Sequence, residues 1–240
     1  MRSAATKLRL IVATDTRLAA PRDIVHMVGD ALRAGCPAVQ LREKELPARD
    51  VLPLARTLRR ATHDAGALLF VNDRLDVALA VGADGVHLGP DDLPVGLARQ
   101  MAPPSFMIGY SASTVARARS AIASGADYIG CGPVFPTTTK PDAGSAIGVA
   151  QLARIVQAID APVVAIGGIT PENAPSAIQA GAAGVAAIGA VMTAADPRAT
   201  TSGLLAAPEA HSSPWTNLPR HSSGAASALD RCSLRPSSGR

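Results

Sequence analysis

Residues 31–44 read ALRAGCPAVQLREK. An apolar helix end runs into Gly35, a short turn follows, then Ala38-Val39-Gln40-Leu41, and the stretch closes on Arg42-Glu43-Lys44. The same grammar returns as ALAVGADGVHL at 78–88, AIASGADYIGC at 121–131 and AIQAGAAGVAA at 177–187. Gly35, Gly82, Gly125 and Gly181 fall where a helix ends in a left-handed residue, a conformation that a side chain with a Cβ adopts only at a cost. These glycines are 47, 43 and 56 residues apart, about two strand–helix units each, so the four repeats open strands 2, 4, 6 and 8. The odd strands fill the intervals as LRLIVATD (8–15), ALLFVND (67–73), FMIGYSAS (106–113) and PVVAIGG (162–168). Strands alternating with helices imply an α/β fold with a parallel sheet. Eight of them predict a single (β/α)8 TIM barrel, with a doubly wound open sheet as the alternative.

The 240 residues are the length of one such barrel. Aromatic residues make up only 2% of the chain, which leaves no stacking surface for bases. The formal charge of +4 owes much to Arg198, Arg220, Arg231, Arg235 and Arg240 near the end, so no basic stripe exists, which argues against nucleic-acid binding. Cys36, Cys131 and Cys232 are odd in number and far apart, which argues against a zinc site or a disulfide framework. The opening MRSAATKLRLIVATD is too quickly interrupted for a signal peptide, and no apolar run reaches the roughly 20 residues of a membrane helix. A soluble, cytoplasmic protein is the expectation. Helices are expected to start near Asp23, Pro47, Ser113 or Thr114, and Thr170-Pro171-Glu172. Asp196-Pro197 opens a last helix that Thr200, Thr201, Ser202 and Gly203 are poor at continuing. Residues 8–198 are therefore expected to form the barrel, and 199–240 an atypical, disordered tail.

Chemistry concentrates at the C-terminal ends of the strands, where barrels of this kind carry their sites. Alternation puts Gln40, Arg42 and Lys44 on one face of strand 2, toward the barrel axis, with Val39 and Leu41 on the other. Charge in that interior needs a partner. A pyrophosphate suits Arg42 and Lys44; the alternative is a carboxylate on a neighbouring strand. Asp73 follows Asn72 at the end of strand 3, and Asp92 follows strand 4; two carboxylates with phosphate oxygens and water are a usual Mg2+ set, although either aspartate could instead cap the next helix. His87 reads as a satisfied core histidine. Ser111 ends strand 5 within reach of a polar ring. After strand 6, Thr137, Thr138, Thr139 and Lys140 form a loop of donors suited to an anion. Gly167-Gly168 after strand 7, and Ile188-Gly189 after strand 8, stand where barrels bind phosphate through backbone N–H groups.

QLREK (40–44), VNDR (71–74), HLGPDDL (87–93), GPVFPTTTK (132–140) and IGGIT (166–170) together resemble the thiamine-phosphate synthase family, in order over residues 8–197. The resemblance implies a (β/α)8 barrel that joins a hydroxymethylpyrimidine pyrophosphate to a thiazole phosphate and releases pyrophosphate. It implies that Gln40, Arg42, Lys44 and Asn72 hold the pyrimidine pyrophosphate, with Arg42, Lys44 and Lys140 stabilising the departing charge. It also implies Asp73 and Asp92 as Mg2+ ligands, and Ser111 on the pyrimidine ring. Thr137, Thr139 and the backbone of Gly168, Ile188 and Gly189 would meet the thiazole phosphate. Pro90 and Gly189 replace residues common in that family, a Gln and a Ser. The family's Ala-rich last helix dissolves here soon after Pro197. Family members often self-associate, so a homo-oligomer is an expectation. The related thiazole tautomerase and a non-catalytic regulatory barrel are the alternatives; the former needs no Mg2+ pair, and the latter would be favoured by loss of Arg42, Asp92 or Lys140, all of which are present.

Overall fold

The computed structural model describes residues 4–139 and 144–207. After a short helix α1 (Ala4–Lys7), strand β1 (Leu10–Ala13) enters the sheet, followed by β2 (Ala38–Leu41), β3 (Leu68–Asn72) and β4 (Gly85–Leu88). The second half supplies β5 (Met107–Ser111), β6 (Tyr128–Cys131), β7 (Val163–Ile166) and β8 (Gly184–Ala187). All neighbours are parallel, and β8 pairs with β1, so the sheet closes into the expected barrel and the open-sheet alternative falls. The helices between them are α2 (Thr16–Ala19) and α3 (Ile24–Arg33), α4 (Ala48–Asp64), α5 (Leu75–Ala80), α6 (Val95–Met101), α7 (Val115–Ala123), α8 (Gly148–Ala158), α9 (Ala174–Gln179), α10 (Gly189–Met192) and α11 (Pro197–Leu205).

Helix ends follow local chemistry. Asp23 accepts from the Val25 N–H, and Thr114 from the Arg117 N–H, as N-caps should. Gly35, Gly82, Gly125 and Gly181 all adopt positive φ, at 91°, 63°, 102° and 95°, and turn each chain from helix to strand. Two of the repeats add an aspartate after that turn. Asp84 accepts from the Leu69 N–H at 2.8 Å and pairs with Arg59, tying the start of β3 to α4. Asp127 does the same for β5, accepting from the Ile108 N–H at 2.7 Å and pairing with Arg99 of α6.

Three sequence expectations need correction. Helix α9 begins at Ala174, beyond the expected Thr170-Pro171-Glu172, because the Asn173 side chain accepts from the Thr170 N–H and holds the preceding turn. Neither Asp73 nor Asp92 caps the next helix; the residues before α5 and α6 are Arg74 and Pro94, without side-chain caps. The boundary at 198 falls inside α11. Asp196 caps that helix at the Ala199 N–H, and Leu204 and Thr201 are buried where it packs on α3. Tertiary burial outweighs the weak helix propensity of its threonines and glycine. Residues 208–240, the rest of the expected tail, lie outside the described residues.

Two layers of core result. Val39, Leu41, Val86, Ile129 and their like face outward into the helices. Leu8, Ile11, Ala38, Phe70, Tyr128, Val164 and Ala186 fill the barrel's interior. There the Phe70 and Tyr128 rings meet edge-on, 5.6 Å between centroids. Gly85 makes room for Phe70, since a Cβ there would stand 2.7 Å from the ring. This plug fills the floor of the barrel, and the C-terminal strand ends stay open above it.

Candidate active site

A cavity of about 750 Å3 occupies the open end. It gathers side chains that the sequence scatters over strands 2 to 8. Gln40, Arg42 and Lys44 line it from β2, Asn72 and Asp73 from the end of β3, and His87 and Asp92 from β4 and its loop. Ser111 and Thr137–Thr139 line the β5 and β6 sides, and Gly167, Gly168, Ile188 and Gly189 complete the wall after β7 and β8. Every described residue expected at the site is present. Lys140 lies outside the described residues.

The β2 edge is held rigidly. The Arg42 guanidinium meets the Asp15 carboxylate at 2.7 Å; the two side chains are only 11% and 3% exposed. The Thr14 hydroxyl accepts from the Arg42 N–H at 2.9 Å. Asp15 also caps α2, accepting from the N–H groups of Arg17 and Leu18 at 3.1 Å. The carboxylate alternative for Arg42 is thus realised, while Arg42 still reaches the cavity. Asp15 itself escaped the sequence reading, although it closes strand 1 and the rule of chemistry at strand ends applied to it. Beside this pair, the buried amides of Gln40 and Asn72 bond to each other across β2 and β3 at 2.8 Å. Each keeps polar capacity for the cavity.

Across from Arg42 the two carboxylates come together. The Asp92 carboxylate accepts from the Gly89 N–H at 2.6 Å and closes its own loop. Asp73 sits at φ 63°, a left-handed conformation that aspartate tolerates better than most side chains. Its carboxyl pKa is pushed up to about 6, first by burial, then by the hydrogen bond and charge of Asp92, while Lys44 pulls it down. The Lys44 ammonium stands 3.5 Å from Asp73. Arg74 turns outward to an exposed pair with Asp76.

Glycine geometry shapes the opposite wall. Gly167 and Gly168 both have positive φ, at 93° and 64°. A Cβ on Gly168 would stand 2.8 Å from the Phe135 Cβ, so the backbones of the loops after β6 and β7 touch. Asn173 secures this contact by donating to the Gly168 carbonyl at 2.7 Å. The Thr137 hydroxyl accepts from the Thr139 N–H at 3.2 Å, and a Cβ on Gly189 would stand 2.8 Å from the Thr139 hydroxyl. Hydroxyls and backbone of three strand ends therefore converge on one small region. Between the two walls, His87 bonds Tyr128 below and Ser111 above.

A family model described as thiamine monophosphate synthase matches residues 10–191. The chain belongs to the thiamine monophosphate synthase family. The thiamine-phosphate synthase of Moorella thermoacetica is 50% identical to it over 195 residues, covering 81% of this chain and 93% of that protein. The thiamine-phosphate synthase of Methanoculleus marisnigri is also 50% identical over 195 residues, with 81% and 92% covered. Among solved structures, the thiamine phosphate pyrophosphorylase of Pyrococcus furiosus superposes with a TM-score of 0.78 at 45% identity, covering 84% of this chain and 95% of its own. As a thiamine monophosphate synthase family member the chain is an enzyme, a transferase of thiamine biosynthesis acting on small molecules. Among the described residues, no helix is long and apolar enough to cross a membrane.

Proposed function

We propose that this cavity joins 4-amino-2-methyl-5-hydroxymethylpyrimidine pyrophosphate to 4-methyl-5-(2-phosphoethyl)thiazole, giving thiamine phosphate and pyrophosphate. One observation carries the reading: a single cavity has two walls suited to anions, Arg42 and Lys44 beside a carboxylate pair on one side, and the Gly168–Thr137–Gly189 wall on the other. One anion site would serve an isomerase of a single phosphate; two suit a condensation of two phosphorylated substrates. Such charged substrates do not cross lipid, which supports a reaction in the compartment where they are made, and the cytoplasm is the compartment assigned here.

The residues present fit Mg2+. Asp73 stands beside Asp92, and burial first and Asp92 second raise its pKa, a cost that a bound cation would relieve. Among the described residues no cluster of three or more His, Cys, Asp or Glu side chains could hold a metal, so the pair would leave other positions to pyrophosphate oxygens and water. Mg2+ bound there would neutralise charge on the leaving pyrophosphate.

The chain's own part is positioning and electrostatics. Gln40 and Asn72 orient the pyrimidine, with Ser111 on its ring. Arg42, fixed by Asp15, and Lys44 stabilise pyrophosphate as the methylene C–O bond breaks. The pyrimidine-methyl cation is stabilised by the ring amino group. Thr137, Thr139 and the backbone at Gly168, Ile188 and Gly189 hold the thiazole phosphate so that the thiazole nitrogen faces the methylene carbon and its lone pair forms the new bond. No side chain need remove a proton. Lys140, which follows Thr139 in the sequence, is assigned to the pyrophosphate.

The test mixes purified protein with both substrates and Mg2+ and follows thiamine phosphate and pyrophosphate. Product that disappears with EDTA and in Asp92→Ala supports the reading. A folded protein that forms none refutes it.

A further inference from the structure

The His87 ring sits between two hydroxyls. Its Nδ1 lies 3.0 Å from the Tyr128 hydroxyl and its Nε2 lies 2.9 Å from the Ser111 hydroxyl. The chain of contacts crosses three strands, from β6 through β4 to β5, and the backbone is cleared for it. A Cβ on Gly109 would stand 2.5 Å from the His87 Nδ1 and collide with the Tyr128 ring; one on Gly130 would stand 2.7 Å from the His87 Cε1. A neutral imidazole has one donor and one acceptor, so the chain could run in either direction. The floor of the barrel decides which. Tyr128 is fully buried, it packs with Leu8, Ile11, Ala38, Phe70 and Val164, and its hydroxyl pairs with His87. Its phenol stays protonated, because burial pushes its pKa far up. A buried O–H that accepted from Nδ1 would leave its own proton without a partner in that apolar cluster, which is the costly arrangement. Tyr128 therefore donates to Nδ1, Nε2 carries the imidazole proton, and that proton is donated to the Ser111 oxygen. The Ser111 proton is thereby turned away from His87 and into the cavity, which Ser111 lines.

We propose that Tyr128 and His87 are positioning residues that make Ser111 a hydrogen-bond donor, selecting a substrate ring that presents a bare, accepting nitrogen at that point. The proposal rests on the reading of the cavity as a pyrimidine site. It explains why a tyrosine, rather than one more aliphatic side chain, plugs the barrel beneath the site, and why β5 and β6 carry glycine beside it.

Two measurements test it. In ligand-free protein labelled with 15N-histidine, the His87 Nδ1 is expected to resonate as an unprotonated nitrogen and Nε2 as a protonated one; the reverse pattern, or a doubly protonated ring at neutral pH, overturns the proposal without any variant. Binding of the hydroxymethylpyrimidine pyrophosphate with Mg2+ is then compared in wild type, Tyr128→Phe, Ser111→Ala and the double variant, each shown to be folded by its melting transition. Tyr128→Phe is expected to weaken binding about tenfold, and to cost nothing further in the Ser111→Ala background. Equal losses in both backgrounds would mean that Tyr128 acts only as packing, and would also overturn it. Wild type that shows the expected ring pattern but does not bind the pyrimidine compound would refute the substrate reading and leave the hydrogen-bond chain standing.

Discussion

Asp15 and Arg42 are joined at 2.7 Å across the ends of β1 and β2, and the carboxylate that holds the guanidinium also starts helix α2. One side chain thus fixes both a charge and the loop beside it. Asp15→Asn keeps an oxygen for the cap and removes the charge. It is expected to lower kcat/KM by about 10- to 100-fold with little change in melting temperature, since an Arg that must find its own geometry stabilises the departing charge less well. Wild-type kinetics in this variant would show that Arg42 needs no anchor.

The carboxylate pair makes a prediction with a definite sign. Burial and Asp92 raise the Asp73 pKa from 3.8 to about 6, against the pull of Lys44. A carboxyl whose folded pKa is raised destabilises the fold when ionised. That cost is absent below about pH 4, where the group is protonated folded or unfolded, and is complete above pH 6. Metal-free Asp73→Asn is therefore expected to melt above wild type at pH 8 and level with it at pH 4. Mg2+ should raise the melting temperature of wild type at pH 8 and leave that of the variant unchanged. Scanning fluorimetry with and without EDTA reads both; an unaltered Mg2+ response in the variant would remove Asp73 from the metal site.

Gly168 combines a φ of 64° with a backbone approach that excludes a Cβ. Gly168→Ala is expected to raise the KM for the thiazole phosphate by about tenfold or more and to cost roughly 1–3 kcal/mol of stability, through strain and the collision with Phe135. If only stability falls, this wall does not touch the thiazole phosphate.

Cys36 and Cys131 are buried, and burial pushes their thiols up to about 11 and about 12. At pH 8 the reactive thiolate is on the order of one molecule in a thousand or fewer for each. Native Cys232→Ser protein should show no fast reaction with a thiol reagent at pH 8, and two equivalents after unfolding. A fast native equivalent would mean that one of these sites opens.

Leu204 is 2% exposed in the helix that packs on α3. Leu204→Ala is expected to cost about 2–5 kcal/mol in urea unfolding. A chain ending at residue 198 should unfold well below one ending at Ala207. Equal stability of the two would return the barrel's end to 198.

Local patterns carried most of the reading of this protein. The Gly-turn-strand repeat is a statement about single residues and their neighbours: glycine for positive φ, branched apolar residues for a strand buried on both faces. Alternation placed Gln40 and Arg42 toward the axis because side chains in a strand must alternate. Strand ends marked Asp73, Asp92 and Ser111 because the closed barrel presents them together. The weak helix propensity of Thr200 to Gly203 misled for the converse reason, since α11 is held by the face it buries on α3 and not by its own sequence.

By itself the sequence determined eight parallel strands alternating with helices, the strand ends that carry chemistry and the residue types that meet an anion there, since these follow from periodicity, glycine conformation and strand direction along one chain, whereas closure of the sheet was settled by the pairing of β8 with β1. Tertiary structure alone decided that Arg42 is anchored by Asp15, that Asp84 and Asp127 tie strands to helices, that Asp73 and Asp92 share a strained corner, and that Tyr128 sets the direction of the bonds through His87 to Ser111. Each of these is a contact between residues 15 to 41 positions apart or on elements that meet only when the barrel closes. Their partners are chosen by distance in space and by the cost of leaving a buried polar group unpaired, and neither quantity is written in the order of residues along the chain.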